Sequence, residues 1–324
     1  MKNKNVIISV LFMLMGVAAV FIYLSTTRQS SSENRDKFYN SDNAEFINID
    51  DSLIGYYEIS HLPMPEGEIN ALYIDQYDKI YIGSGKGLFI VDTAGERLKV
   101  VALEDMVRNV TVSENGDIYT ASQKRISVLD SAGTKKWSFD VENERTYLTS
   151  LAVYNENLFA ADAGVRTVWR FDTSGTLIGR VGDKDTAKGI LGFVIPSAFF
   201  DLAIGHDGSL WAANTGHHTL QNFRPDGSLI SSWGKSGAQT EAFCGCCNPV
   251  HFTLLGDGCF VTSEKGFSRV KVYNQAGEFL TVVAPPSAFK GPKAGLLLAA
   301  DSHGTIYVAD NYEKTIRRFK RKEN

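Results

Sequence analysis

The sequence predicts an all-β fold: a six-bladed β-propeller of four-stranded blades, closed by an N-terminal strand and preceded by one N-terminal transmembrane helix. The first observation is a repeat that starts near residue 54, in which an apolar residue, usually followed by an aromatic one, comes shortly after a turn. The pair recurs at Ile80-Tyr81, Ile118-Tyr119, Leu158-Phe159, Leu210-Trp211, Cys259-Phe260 and Ile306-Tyr307. Successive pairs are 38 to 52 residues apart, and periods of this length indicate propeller blades or solenoid units.

The second observation is the pattern inside each unit, which is clearest in the fourth. His206-Asp207-Gly208 and Pro225-Asp226-Gly227 are turn sequences, since Asp-Gly supports the positive φ that tight hairpins need. Short apolar or alternating runs lie between the turns and predict four strands: Phe199–Ile204, Leu210–Ala213, Thr219–Arg224 and Ser228–Trp233. Four short antiparallel strands in each unit, with almost no helical periodicity, are typical of a propeller.

The count of strands predicts how the ring closes. The sixth unit runs from Gly295 to about Lys320 and lacks a fourth strand. The segment Ile54–Ile59 precedes the first unit and has no partner of its own. We therefore expect it to form the outer strand of the sixth blade, because a closed ring leaves no open sheet edge.

The first residues predict a membrane anchor. Lys2 and Lys4 precede an uncharged run, residues 6–24, which as a helix is about 28 Å long, close to the thickness of a hydrocarbon core. Its end offers no small-residue cleavage site, so we interpret it as an uncleaved anchor, with a cleaved signal peptide as the alternative. The flanking charges predict a cytoplasmic N-terminus and a periplasmic or extracellular propeller. The expected segments are a transmembrane signal-anchor at 1–25, a polar linker at 26–43 and the propeller at 44–324.

Composition limits the partners. The formal net charge is -4 and no long Lys/Arg run precedes the last residues, so nucleic acid is an unsuitable partner. The partners we expect are the membrane, through residues 6–24, and a protein or small ligand at the loop-rich rim of the propeller.

Three segments share a pattern in which Asp or Asn ends a strand, a turn follows, and an alternating strand ends in Phe. They are Asp162–Phe171, Asn214–Phe223 and Asp310–Phe319. This pattern resembles the signature of NHL repeats over about residues 54–322, although Ser84 and Ser122 replace the acidic residue in the first two blades. The resemblance implies the fold and leaves the activity open, because NHL-type propellers include binding scaffolds, a lyase and RNA binders. We expect Asp162, Asn214 and Asp310 to fix their loops by accepting backbone hydrogen bonds.

Loop lengths predict which rim carries function. The connections from one blade to the next are short in blades one and two, whereas three others are long: Asp183–Ala198, Lys235–Asn248 and Pro285–Ala294. They lie on the rim that surrounds the mouth of the central channel, together with the loops between second and third strands. Long loops on a rigid scaffold are common places for binding and catalysis.

The second long connection carries the most unusual residues of the chain. The chain has four cysteines, and three of them, Cys244, Cys246 and Cys247, lie within four residues of this connection. The fourth, Cys259, follows in a position that other blades fill with Ile or Leu. One hypothesis is a set of disulfides among these four cysteines. A second is a soft metal ion or iron–sulfur centre held by the three clustered thiolates with His217 or His251, although the spacing matches no standard motif. A third is a reactive thiol, and an adjacent-residue disulfide would be strained and easily reduced. Cys259 fits a core position.

The histidines divide into structural residues and candidates for a site. His218 matches a residue of the repeat and is expected to be structural, His217 to be exposed, and His251 to be either a core residue or part of a site near the channel mouth. His61, His206 and His303 lie elsewhere. The Cys-Gly-Cys-Cys-Asn-Pro stretch resembles a subgroup of extracytoplasmic bacterial NHL-type propellers, which implies that the cluster and the blade-five loop, Val261–Gly266, belong together.

Three functions remain as hypotheses. The first is a membrane-anchored binding scaffold without enzyme activity. The second is a metal- or iron–sulfur-dependent redox protein that uses the cysteine cluster. The third is a lyase like the amidating-peptide lyase, which resembles this fold but needs metal-binding histidines from several blades, whereas the candidates here surround blades four and five only.

Overall fold

A computed structural model describes residues 49–188, 190–291 and 294–323. Its six antiparallel sheets of four strands each confirm the six-bladed propeller. The predicted transmembrane segment and most of the linker lie outside the described residues. Within the described ranges, no helix has both the length and the apolar character needed to cross a membrane.

Each of the first three blades is built from four consecutive strands, with the innermost strand first. Blade one contains β2 (Ile69–Ile74), β3 (Ile80–Ser84), β4 (Gly87–Val91) and β5 (Arg97–Ala102). Blade two contains β6 (Asn109–Val112), β7 (Ile118–Ala121), β8 (Arg125–Leu129) and β9 (Lys135–Asp140). Blade three contains β10 (Leu148–Tyr154), β11 (Asn157–Asp162), β12 (Thr167–Asp172) and β13 (Leu177–Val181).

Blades four and five follow the same order, and blade six takes its outer strand from the other end of the chain. Blade four contains β14 (Leu202–Ile204), β15 (Leu210–Asn214), β16 (Thr219–Phe223) and β17 (Leu229–Trp233). Blade five contains β18 (His251–Leu254), β19 (Phe260–Ser263), β20 (Val270–Tyr273) and β21 (Phe279–Ala284). Blade six contains β22 (Leu298–Ala300), β23 (Ile306–Asp310), β24 (Thr315–Arg321) and β1 (Tyr56–Pro63). The described residues also contain three 3-10 turns, Asp51–Leu53, Thr186–Lys188 and Pro286–Ala288.

The ring closes as the strand count predicts. Strand β1 pairs antiparallel with β24, from Tyr56 opposite Arg321 to Pro63 opposite Thr315, and is longer than the segment expected from the sequence. The Arg317 guanidinium also binds the Glu58 carboxylate through two hydrogen bonds, with Nε 2.9 Å from Oε1. Blade six therefore joins the two ends of the propeller.

The core lies between neighbouring blades. Between blades four and five it is aromatic, where Trp211 packs edge-on against Phe260 with their ring centroids 4.7 Å apart. Trp233 and Tyr273 continue this layer, and the fully buried ring of Phe243 covers it from the long connection. The segment that leads into the cysteines is thus fixed to the core by an aromatic side chain.

The connections confirm the predicted asymmetry of the rim. Residues 103–108 and 141–147 join the first three blades, whereas residues 182–201, 234–250 and 285–297 form the three longer connections. All of them end where an innermost strand begins, so they surround one mouth of the central channel.

Candidate functional site

A cavity of about 260 Å³ occupies this mouth of the channel. Residues within three positions of the beginning of all six innermost strands contribute to its wall: Asn70, Arg108, Thr149, Phe199, His251 and Leu297. An apolar and aromatic wall with a few convergent polar groups is the usual character of a ligand site. We call this space the channel-mouth cavity.

Arg108 is a cation of this wall that the structure holds in place. Its guanidinium lies over the Tyr147 ring, 4.9 Å from the ring centroid, and one terminal nitrogen (Nη1) donates a hydrogen bond to the Tyr147 hydroxyl at 2.7 Å. In the described part of the chain, no carboxylate lies within ion-pairing distance of Arg108. The planar guanidinium therefore keeps most of its donors for a ligand, and its geometry suits a carboxylate.

His251 faces the same cavity from the first position of β18. Its Nδ1 lies 3.3 Å from Oδ2 of Asp201, and because a carboxylate only accepts, Nδ1 carries the hydrogen. Asp201 is itself fixed by the Ser150 hydroxyl at 2.8 Å and by the backbone N–H of Phe252 at 3.1 Å. This pair orients the imidazole and leaves Nε2 as the ring nitrogen outside the contact.

The blade-five loop, which binds Asn248 of the cysteine-bearing connection, contacts the cavity wall through Lys265. The Lys265 ammonium donates to the Ser197 hydroxyl at 3.1 Å and lies 5.0 Å from the centroid of the Phe199 ring. Phe199 in turn packs edge-on against His251, with 5.6 Å between ring centroids. The wall of the cavity and the cysteine loop are therefore parts of one packed region.

We define the cysteine loop as residues 240–248. Cys244 and Cys247 are buried, whereas Cys246 is exposed. The sulfur atoms of Cys246 and Cys247 lie 3.0 Å apart, about half as long again as an S–S bond of about 2.05 Å. Burial, followed by the nearby Glu264 carboxylate, raises the pKa of the Cys244 thiol.

A buried ion cluster of Glu264, Arg269 and Lys271 lies beneath this loop. One Glu264 oxygen (Oε1) binds the Lys271 ammonium at 2.6 Å and Nε of Arg269 at 2.8 Å. The other oxygen (Oε2) accepts the backbone N–H of Cys244 at 3.1 Å. All three side chains are almost fully buried. Because water is excluded, their charges must be compensated by one another and by the polar groups of the loop.

The cations of the cluster also bind loop carbonyl groups. The Lys271 ammonium donates to the carbonyl oxygens of Ala242 and Thr240, at 2.7 Å and 3.0 Å, and Arg269 donates to that of Ala242 at 3.0 Å. Burial lowers the pKa of Lys271 to about 8 even though Glu264 opposes this change. Burial also acts to raise the pKa of Glu264, but the two cations outweigh it and hold that pKa below its usual value.

The far end of the cysteine loop is fixed by Asn248. Its side-chain amide donates to the carbonyl oxygens of Cys244 and Lys265, and its Oδ1 accepts the Lys265 N–H at 2.9 Å. The Asn248 carbonyl lies 3.2 Å from Nδ1 of His218, a buried residue at φ 58°. Burial lowers the pKa of His218. The cysteine loop and the blade-five loop are therefore in direct contact.

The predicted metal ligands do not form a metal site among the described residues. Of the two histidines, His217 is exposed and His251 pairs with Asp201. Across the described ranges, no group of three or more His, Cys, Asp or Glu side chains is arranged to hold a metal ion. The residues present thus do not form the expected ligand set for a soft metal or iron–sulfur centre, and that hypothesis stays a prediction.

Cys259 belongs to the hydrophobic core, as its position in the repeat predicts. It packs in one buried cluster with residues such as Leu255 and Val261, and burial raises the pKa of its thiol to about 11. Five residues of extended chain, about 16 Å, separate it from Glu264, which contacts Cys244. In this arrangement only Cys244, Cys246 and Cys247 lie near one another, and whether they form disulfides stays a prediction.

The loop-fixing role of the repeat residues is confirmed. One Asp162 oxygen (Oδ1) accepts the backbone N–H groups of Tyr147 and Gly164 at 2.9 Å and 3.0 Å. Asn214 accepts the Val194 N–H at 2.9 Å, and Asp310 accepts the Glu313 N–H at 3.1 Å.

Sequence reasoning missed Arg108, Tyr147 and Asp201. They belong to three different blades and come together only through the closed ring, so no local motif marks them. The sequence shows Arg269 and Lys271 in blade five but does not predict that they are buried, because the loop that covers them comes from a different part of the sequence.

Comparisons with known proteins agree with the fold and go no further. No protein-family model matches the sequence, and no curated protein matches it. Among solved structures, a streptogramin B lyase is 12% identical, with a TM-score of 0.60 over 84% of this chain and 100% of that one. The WD40 β-propeller domain of Doa1 is 15% identical, with a TM-score of 0.56 over 80% and 81%. A catalytically inactive virginiamycin B lyase from Staphylococcus aureus, with quinupristin, is 13% identical, with a TM-score of 0.57 over 82% and 99%. Identities this low show the shared propeller fold alone.

Proposed function

We propose that this protein is a ligand-binding propeller whose ligand occupies the channel-mouth cavity and presents a carboxylate to Arg108. The observation that carries the proposal is the Arg108 guanidinium, which is stacked on Tyr147 in the cavity wall and has no ion-pair partner among the described residues. A small acid or the C-terminus of a peptide fits this chemistry, because guanidinium and carboxylate groups form paired, charge-assisted hydrogen bonds. The apolar wall beside Arg108 accommodates the rest of the ligand.

The wider setting belongs to the same proposal. The repeat pattern supports an NHL-type propeller, and the uncharged run at residues 6–24 supports a membrane anchor. The propeller then lies outside the cytoplasm, with its loop-rich rim available to ligand. In this setting the protein is a scaffold that captures its ligand without converting it.

Matched peptide probes test the binding site. We expect N-acetylated tripeptides with a free carboxylate to raise the unfolding temperature of the full chain and to bind in titration calorimetry, whereas their C-terminal amides bind more weakly. Arg108→Gln should weaken binding of the acids by about tenfold or more, the usual contribution of a hydrogen bond to a charged group. Arg145→Gln removes an exposed arginine from the same rim and is the control. Equal binding of acids and amides, or unchanged binding by Arg108→Gln, would contradict the proposal.

A second candidate is a lyase in which His251 removes a proton from the ligand. The favouring observation is the Asp201–His251 hydrogen bond, which fixes the imidazole at the cavity and suits a general base. A metal-dependent reaction of the amidating-peptide type requires further histidines from other blades.

Quinupristin, the compound present with the similar lyase, is a direct probe of this second candidate. Conversion followed by mass spectrometry should be lost in His251→Ala and retained in His217→Ala, which changes an exposed histidine. Quinupristin left unchanged by the unmodified protein would count against this candidate and leave the binding proposal intact.

A further inference from the structure

We propose that Cys246 and Cys247 form a redox-active dithiol that exchanges electrons with disulfides and dithiols, a function separate from the channel-mouth cavity. Their sulfur atoms lie 3.0 Å apart, so little movement is needed for a bond to form between them. Cys246 is exposed, whereas Cys247 is only 1% exposed. An accessible thiol next to a second thiol that can resolve a mixed disulfide is an arrangement suited to thiol–disulfide exchange.

The loop holds this pair in a fixed place. On one side, Glu264 binds the Cys244 N–H at 3.1 Å, and on the other, Asn248 binds the Cys244 and Lys265 backbone. Gly245, between Cys244 and Cys246, has a φ of 89°, in the left-handed region that favours glycine. The two cysteines thus occupy a short segment whose ends are both anchored by buried groups, and less conformational entropy is lost when they react.

The exposures assign the two roles. The Cys246 thiolate attacks one sulfur of a substrate disulfide, forms a mixed disulfide and releases the other substrate sulfur as a thiol. The Cys247 thiolate then attacks the Cys246 sulfur, which forms the Cys246–Cys247 bond and releases the second substrate thiol. Two electrons and two protons have then passed from the cysteines to the substrate disulfide, and the reverse sequence oxidises a substrate dithiol.

Residue spacing predicts the favoured direction. Adjacent residues have Cα atoms about 3.8 Å apart, below the usual range of about 4.4–6.8 Å for a disulfide. A bond between neighbours is therefore strained and readily reduced, which makes the oxidised pair a donor of disulfide to other dithiols. The other two thiols suit this role less well, because both are buried and burial raises the pKa of each.

Glutathione mixtures test the proposal on the full chain. After equilibration with reduced and oxidised glutathione, acid quenching and alkylation, the tryptic peptide 236–265 contains all four cysteines. We expect oxidised glutathione to remove two hydrogens from this peptide and to protect Cys246 and Cys247 from alkylation, reversibly, while Cys244 and Cys259 remain alkylated. Tandem mass spectrometry locates the protected pair.

Two variants assign the roles, and the unmodified protein alone can refute the proposal. Cys247→Ser should accumulate glutathione on Cys246 and should release it at least tenfold more slowly than the unmodified protein does. Cys244→Ser should behave like the unmodified protein. Circular dichroism checks that both variants fold. A bond that includes Cys244, glutathione that remains on Cys246 of the unmodified protein, or four thiols that stay reduced in oxidised glutathione would each overturn the proposal.

Discussion

The buried carboxylate of Glu264 is the residue on which the cysteine loop most depends. It neutralises Arg269 and Lys271 and binds the backbone of Cys244, and none of these groups has access to water that could replace it. The sequence placed Glu264 on the blade-five loop. Arg269, Lys271 and Tyr273 alternate with apolar residues, a pattern typical of the polar face of a strand. The burial of these three side chains could not be predicted, because the residues that cover them, 240–244, come from the preceding connection.

Glu264→Gln should destabilise the protein by about 3–5 kcal/mol, because it leaves two buried cations without their counter-charge. Urea unfolding measures the change without adding salt that would screen charges. Glu144→Gln, at an exposed glutamate, should change stability by less than about 0.5 kcal/mol. Equal stability of the two variants would show that the ion cluster does not support the fold.

His218 gives the fold a pH dependence with a defined sign. Burial lowers its pKa in the folded protein below the ordinary value of 6.5. Below pH 6.5 the unfolded chain therefore takes up a proton that the folded chain does not, so this contribution to stability is present above pH 6.5 and is lost as the pH falls. We expect the free energy of unfolding to decrease more steeply between pH 7 and 5 in the unmodified protein than in His218→Asn, since Asn tolerates the positive φ at this position. His217→Gln should retain the steep decrease.

At the scale of elements, strands were more predictable than the connections between them. Strands β15, β16 and β17 begin or end within a residue of their predicted bounds, because turn residues mark both ends. Strand β14 is shorter than predicted and begins at Leu202. The preceding residues continue the connection, since the Phe200 carbonyl accepts a hydrogen bond from the Thr149 hydroxyl of blade three at 2.7 Å. A contact between blades, which no local pattern records, fixes this boundary.

The cysteine loop should loosen as a unit when Lys271 is removed. Lys271→Met keeps most of the length of the side chain but removes the hydrogen bonds to the Thr240 and Ala242 carbonyls, while Arg269 still neutralises Glu264. We expect faster amide hydrogen exchange across residues 240–248 and unchanged exchange in the inner strands. Lys235→Met is the matched control, because Lys235 is exposed and forms a surface ion pair with Glu241 at 3.4 Å. Unchanged exchange in Lys271→Met would mean that Lys271 does not hold the loop.

For the whole molecule, the closed ring was predictable and the cavity was not. Closure follows from counting strands, since a sixth blade with three strands and one unpaired segment leave a single solution. The cavity depends on side chains that six blades bring to one point from positions as distant as Asn70 and Leu297. Only the assembled ring places Arg108 near Tyr147 and His251 near Asp201.

Removal of β1 should therefore affect the entire propeller and not only its sixth blade. A chain lacking residues 49–63 loses the burial of Tyr56 and Leu62, about 3–6 kcal/mol for the two side chains, and the Glu58–Arg317 ion pair. It also exposes the full edge of β24 to pairing with other chains. We expect a lower unfolding temperature and concentration-dependent association in light scattering, whereas removal of residues 323 and 324 should change neither. The reason for this expectation is that β1 joins blade six to the start of the propeller. A monomer with unaltered unfolding would contradict it and would show that the ring does not need its N-terminal strand.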